Sequence, residues 1–222
     1  MNEFKLTVIE AFDLPDAWYK CISSVLKDGY EWEIKRGSFE GHKRLEFDNV
    51  IITIHNPSNR PLAPDIPQDK TIPPPTSMKA IQEYLALLIT PDKGGYDYTY
   101  GERIAKQLDK AIKMLKESPD TNQCIIEIGR PEDIDLKDPP CLRLIDIRVR
   151  YGKLHFFVYF RSWDLWSGFP VNLAALQLLK EWMAKELGLE DGTLNAWSKG
   201  LHLYDFQFEL AKELVKPTSR RG

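Results

Sequence analysis

Cysteine is scarce: Cys21, Cys124 and Cys141 are the only three among 222 residues, too scattered for a disulfide framework and without CxxC or Cys/His zinc spacing. An odd count leaves at least one thiol free, and no metal is expected. No apolar run approaches the roughly 18 residues that a membrane span needs, and Met1-Asn2-Glu3-Phe4-Lys5 lacks the cationic-then-apolar layout of a signal peptide. The expectation is a cytoplasmic protein with no membrane partner. Positive charge is not in excess either. Thirty Lys and Arg against 33 Asp and Glu give a net charge of -3, which excludes a nucleic-acid-coating surface and leaves room for a local cationic pocket holding a small anion. There is no glycine-rich dinucleotide motif, internal repeat or low-complexity tract.

What the chain does have is core material. Apolar residues make up 43%, including six Trp, ten Phe and nine Tyr, enough to exclude water from a site within one α/β domain spanning 1–222. Residues 15–28 put Trp18, Ile22, Val25 and Leu26 on one helical face, with Gly29 as the stop. Val50 to Ile54 is a β-branched run that reads as a buried strand. Prolines recur from Asn56 to Thr76 and predict an irregular surface crossing. Residues 77–89 and 102–117 read as helices, the second carrying Ile104, Leu108, Ile112 and Leu115 at helical spacing.

A strand begins near Cys124. Beyond Pro139-Pro140, the apolar Ile145, Ile147 and Val149 alternate with Asp146, Arg148 and Arg150, and Tyr151-Gly152-Lys153 turns the chain into the apolar run Leu154 to Phe160. Residues 141–160 therefore predict a β-hairpin that Cys141 opens. An amphipathic helix over Asn172–Leu187, a strand with Leu201 and Leu203, and a closing helix complete the pattern.

Four blocks between Pro139 and Tyr204 carry the chemistry: Pro140-Cys141; Arg161-Ser162-X-Asp164 about twenty residues on; Gly168-X-Pro170-X-Asn172; and His202-X-Tyr204. In this order and with these gaps the chain resembles the thymidylate synthase family. Fainter matches are Glu83, Tyr100-Gly101 and Lys35-Arg36-Gly37. The resemblance implies an α/β (α+β) fold, a mixed β-sheet flanked by helices, and methylation of dUMP at C5 to dTMP.

It also implies a role for each residue. Cys141 would add as a thiolate to C6 of the uracil, making C5 nucleophilic, and Arg161 would supply the positive charge that a thiolate needs. Arg161, Ser162 and Arg36 would bind the phosphate. Asn172 would read O4 and N3-H of uracil, where the related cytosine hydroxymethylases carry aspartate. His202 and Tyr204 would hold the 3'-hydroxyl. Glu83 would order water and relay a proton to O4, Tyr100 would help take the C5 proton, and Asp164 would meet the pterin ring. The cosubstrate would be a reduced pterin, methylene-tetrahydrofolate or methylene-tetrahydromethanopterin, supplying both carbon and hydride.

Some positions depart from the family pattern. Where paired arginines reach across a dimer, this chain reads Asp120-Thr121-Asn122-Gln123, so a monomer is plausible beside the homodimer. The segment before Tyr100 is shortened to Pro91–Gly95, the tail ends Ser219-Arg220-Arg221-Gly222, Phe160 stands for a glutamine and Leu142 for a histidine. These are features of the short archaeal-type branch. Two other readings stand beside methylation: a hydroxymethylase, and a dUMP-binding protein without turnover.

Overall fold

The computed structural model describes residues 3–217. In chain order it contains β1 (Leu6–Ala11), α1 (Leu14–Asp28), β2 (Tyr30–Glu33), β3 (Lys43–Glu46), β4 (Asn49–Ile54), α2 (Met78–Ile89), α3 (Tyr100–Glu117), β5 (Ile125–Glu127), β6 (Leu142–Arg150), β7 (Lys153–Phe160), β8 (Trp163–Asp164), α4 (Gly168–Leu187), β9 (Glu190–Ser198), β10 (Leu201–Tyr204) and α5 (Phe208–Val215). A six-stranded mixed sheet runs β1-β4-β9-β7-β6-β5, and a four-stranded one runs β2-β3-β10-β8. This is the mixed sheet flanked by helices that the resemblance implies, with a second, smaller sheet beside it.

The hairpin forms as expected. β6 and β7 pair antiparallel from Leu142↔Phe160 to Arg150↔Lys153, and Tyr151 (φ 54°) and Gly152 (φ 72°) make a turn with two left-handed residues, the geometry that matches strand twist. Beyond the last rung, the Arg161 N–H donates to the Cys141 carbonyl at 2.9 Å. The pairing thus runs up to the thiol residue itself.

Five strands, β1, β2, β3, β8 and β9, escape the periodicity reading, β9 above all, although it lies between β4 and β7. Its inward residues are Gly192, Leu194, Ala196 and Ser198. Three of these four are too small or polar to register as apolar alternation. The helix expected over Asn172–Leu187 begins one turn earlier, at Gly168, and is buried on most sides instead of amphipathic. Asn172 consequently sits inside the helix, and Asp164 serves the helix start, accepting from Gly168 N–H at 3.1 Å and Ser167 Oγ at 2.6 Å.

One face of the larger sheet is covered by helices. The other leaves apolar side chains in the open: Val8, Ile51, Phe157 and Trp197 are 62%, 40%, 41% and 48% exposed, and Val8↔Ile51 and Ile51↔Trp197 are direct cross-strand neighbours.

The segment leading to Cys141 is anchored by a buried ion pair. The Arg103 guanidinium on α3 donates to both oxygens of Asp133 at 2.7 and 2.6 Å and to the Ile128 carbonyl at 2.6 Å, while Arg143 reaches Asp133 at 3.1 Å. Those hydrogen bonds hold the Asp133 carboxyl down to about 2, the Arg103 bonds contributing most. Removing one partner of such a pair strands the other, so Asp133→Ala should cost about 3 kcal/mol at neutral pH. Because the folded value lies below the unfolded one of about 3.9, the wild-type advantage is full above that value and fades as the pH falls toward 2. Denaturant titrations of both proteins at pH 7 and pH 2.5 measure it; a gap unchanged between the two would contradict the ion-pair account.

Candidate active site

Arg161 organises the site. Leaving β7, it turns back along the segment before the thiol, donating Nε–H to the Pro140 carbonyl at 3.1 Å and Nη2–H to the Pro139 carbonyl. Prolines have no N–H to enter a ladder, so these carbonyls are free to accept. One edge of the guanidinium, Nε and Nη2, is therefore used by the chain itself, and Nη1 with the rest of Nη2 remains for a ligand.

On the opposite side stands Tyr100, first residue of α3. Its hydroxyl oxygen accepts the N–H groups of both Cys141 and Leu142 at 3.2 Å. Gly101 lets it sit there: a Cβ would lie 2.1 Å from the Thr90 carbonyl oxygen, so the start of α3 touches the end of α2 only with glycine.

Cys141 is partly buried, whereas Cys21 and Cys124 are buried. Burial pushes the Cys141 thiol up; the Arg161 and Arg143 guanidinia pull it down, and the Asp138 carboxylate pushes it up again. The expected lowering by Arg161 is present, but desolvation outweighs it, so the unliganded sulfur is mainly a thiol.

The other predicted residues fall into two groups. Asn172 is 9% exposed, and its carboxamide oxygen accepts from Trp163 Nε1 at 2.9 Å, which orients the amide nitrogen away from the indole. Trp163 itself stacks on Phe160, centroids 3.8 Å apart. His202 is 2% exposed. Burial lowers its imidazole to about 4; being neutral, it donates Nδ1–H to the Gly200 carbonyl at 2.8 Å, and buried Nε2 is an acceptor with no partner among the described residues. Tyr204 lies edge-on to it, centroids 4.6 Å apart. Ser162 and Arg161 line a cavity of about 270 Å³ with Arg44, Glu46, Lys199 and Gly200. Arg36 and Arg161 line another of about 280 Å³ with Lys137, Asp138 and Pro139.

Two residues do not take the expected places. Glu83 is 67% exposed by side chain and reaches Lys79 at 3.8 Å, one turn away along α2; its neighbour Tyr84 faces inward instead. Asp164 is occupied by structural partners, receiving Trp166 N–H at 3.0 Å and Gln207 Nε2 at 3.0 Å besides the two donors at the start of α4.

Sequence reading missed Asp138, Tyr84, Tyr98, Arg44 and Lys199. Tyr84, Tyr98, Tyr100, Tyr96, Asp97 and Asp138 line a cavity of about 500 Å³. An apolar hollow of about 350 Å³ among α2, α3 and α4 shares no lining residue with these three. For the tyrosines the signal was a Tyr96-X-Tyr98-X-Tyr100 repeat; the lysine and arginine had none, being single charges on polar stretches. The tail Ser219–Gly222 lies outside the described residues. Among the described residues no group of three His, Cys, Asp or Glu could hold a metal, and no helix is long and apolar enough to cross a membrane.

A hairpin that ends on a free thiol beside a guanidinium, next to cation-lined cavities, is a layout for nucleophilic chemistry on a small anionic ligand. The thymidylate synthase family model matches residues 82–221. A protein named "Putative thymidylate synthase" from Methanosarcina acetivorans is 29% identical over 217 residues, covering 94% of each chain. Proteins of the same name from Methanothermobacter thermautotrophicus (28% over 225 residues, 94% of this chain and 98% of that one) and Methanocaldococcus jannaschii (29% over 213 residues, 89% and 90%) are similar as well. The chain belongs to the thymidylate synthase family, whose methyltransferase-type members bind dUMP and a folate-type cosubstrate.

The thiol's electrostatics give a direct test. Alkylation of the native protein should modify Cys141 alone, with a rate still climbing above the value of about 8.5 at which free cysteine titrates. Arg161→Met should slow it at pH 8 several-fold, as about one pKa unit is tenfold in thiolate. A rate that levels off below pH 7 would contradict the assignment.

Proposed function

We propose that the protein is a thymidylate synthase that methylates dUMP at C5 through a covalent bond between Cys141 and C6, taking carbon and hydride from a reduced pterin. The observation that carries this reading is the meeting of Cys141 and Arg161 at the hairpin end, within the family match. The proposed anion site uses Arg161, Ser162 and Arg36, with Arg44 and Lys199 replacing the intersubunit arginines missing at Asp120–Gln123. The phosphate's negative charge and the exclusion of water by the ring both oppose ionisation of the sulfur, so the reacting thiolate depends on the Arg161 and Arg143 guanidinia, and bond formation to C6 draws it off as it forms.

In this reading the uracil lies with C6 above the sulfur. The Asn172 amide nitrogen donates to O4, and its oxygen, with one lone pair on Trp163, accepts N3-H with the other. Unpartnered His202 Nε2 accepts the sugar hydroxyl, and Tyr204 stands beside it. The tyrosine-lined cavity offers flat faces for the pterin, either methylene-tetrahydrofolate or methylene-tetrahydromethanopterin. Glu83 has no part in this scheme.

Protein incubated with C5-tritiated dUMP and each methylene-pterin should release tritium to water and form dTMP, and Cys141→Ala should release none. Wild-type silence with both donors would end the proposal. A product heavier than dTMP by one oxygen would make it a hydroxymethylase.

The open apolar row of Val8, Ile51 and Trp197 favours a second copy of the chain as its cover over a monomer. Sedimentation equilibrium should then give twice the chain mass, and Trp197→Glu should halve it; a wild-type monomer at micromolar concentration would contradict this.

A further inference from the structure

Methylation at C5 requires a group that accepts the C5 proton, and neither residue suggested by the resemblance is placed to do it. Glu83 faces solvent beside Lys79. The Tyr100 oxygen already accepts two backbone N–H groups, so it presents its proton outward and acts as a donor. Asp164 is held by four donors. Asp97 borders the tyrosine cavity alone and is not among the charges felt at Cys141.

Asp138 meets every requirement. It borders both the tyrosine cavity and the Arg36–Arg161 cavity, so it stands between the hollow that holds Tyr100 and the one that holds Arg161, the two residues that grip the segment of the thiol. Only Pro139 and Pro140 separate it from Cys141, and Arg161 pins both of their carbonyls, which fixes the carboxylate relative to the sulfur. Its charge is felt at Cys141, Tyr98 and Tyr204. Ser38 Oγ–H donates to Oδ2, leaving Oδ1 toward Gly37. That glycine has φ 108°, and a Cβ there would come within 3.1 Å of Oδ1. The loop therefore closes on the carboxylate while keeping one oxygen uncrowded.

We propose that Asp138 is the general base that removes the C5 proton, an assignment that rests on the thymidylate synthase reading. The sulfur lone pair forms the S–C6 bond and the C5=C6 electrons move to O4 as an enolate. C5 then bonds to the methylene carbon as the O4 carbonyl re-forms and one of that carbon's two bonds to pterin nitrogen breaks, its electrons staying on that nitrogen, which takes a proton from water. Asp138 takes the C5 proton, the C5–H pair becomes the double bond to the exocyclic methylene, and the remaining methylene–nitrogen bond breaks with its electrons staying on the pterin. Hydride from that pterin, which is oxidised, completes the methyl group as the thiolate leaves C6. Exposed Asp138 returns its proton to water.

The competing role is structural, a clamp on residues 37–38 through Ser38. Two readouts separate them. A 5-fluoro analogue of dUMP carries fluorine where the proton would be, so with the methylene donor it forms the adduct and stops before base action; tritium release from C5-tritiated dUMP requires that action. Asp138→Asn should form the adduct as fast as wild type or faster at pH 7, since a charge opposing the thiolate is gone, yet release tritium about 10²-fold more slowly. Asp138→Glu should recover part of the release, and Ser38→Ala should stay close to wild type. Undiminished release by Asp138→Asn, a parallel fall in adduct and release, or an equal loss in Ser38→Ala overturns the assignment alone. A wild type that forms no adduct and releases no tritium overturns the reading beneath it as well.

Discussion

The site depends on one guanidinium gripping its own chain. Arg161 holds the Pro139 and Pro140 carbonyls while Tyr100 holds the Cys141 and Leu142 N–H groups, so the backbone from 139 to 142 is held at four points, one of them on the thiol residue itself. The same guanidinium lends its positive charge to the sulfur and lines the two cation-bearing cavities. Lysine has no planar fork to reach both carbonyls. One side chain, set just past the end of the hairpin, thus contributes both to the position of the Cys141 sulfur and to the positive charge it feels.

Around this anchor the charges are opposed. Burial and Asp138 keep the sulfur protonated, and Arg161 and Arg143 favour its ionisation. A nucleophile left ionised in the empty protein would be open to oxidants and electrophiles; one held mainly as a thiol is protected, its thiolate fraction being consumed only when a ring lies over it. Asp138 contributes to the first state and, as base, to the chemistry of the second. His202 shows the same economy: an imidazole kept neutral by burial leaves Nε2 free to accept a hydroxyl, which an imidazolium could not do.

Much of this was legible in the sequence where local rules decide. The hairpin could be read because Ile145, Ile147 and Val149 alternate with charges and Tyr151-Gly152 supplies the turn; α3 could be read because Ile104, Leu108 and Leu115 fall on one face. β9 could not, since Gly192, Ala196 and Ser198 are shaped to fit under α4 and carry no apolar signal. The blocks around Cys141, Arg161, Asn172 and His202 pointed to the family because their order and gaps are specific. On α2 the Glu83 carboxylate lies on the solvent side and Tyr84 inside, because consecutive helical residues point about 100° apart, a difference that a residue match alone does not carry. Asp138 carried no signal at all: an acidic residue before two prolines reads as a loop, and only the folding of residues 36–38 and 98–100 around it shows what it faces.

The central claim is that a uracil sits over Cys141 and bonds to it through C6. A crystal structure of the protein with 5-fluoro-dUMP and a methylene-pterin tests this most directly. The account predicts continuous density from the Cys141 sulfur to C6, with the base edge at Asn172, the sugar hydroxyl at His202 Nε2 and the phosphate against Arg161. A nucleotide bound elsewhere, or lying in this site with its ring turned away from the sulfur, would contradict it.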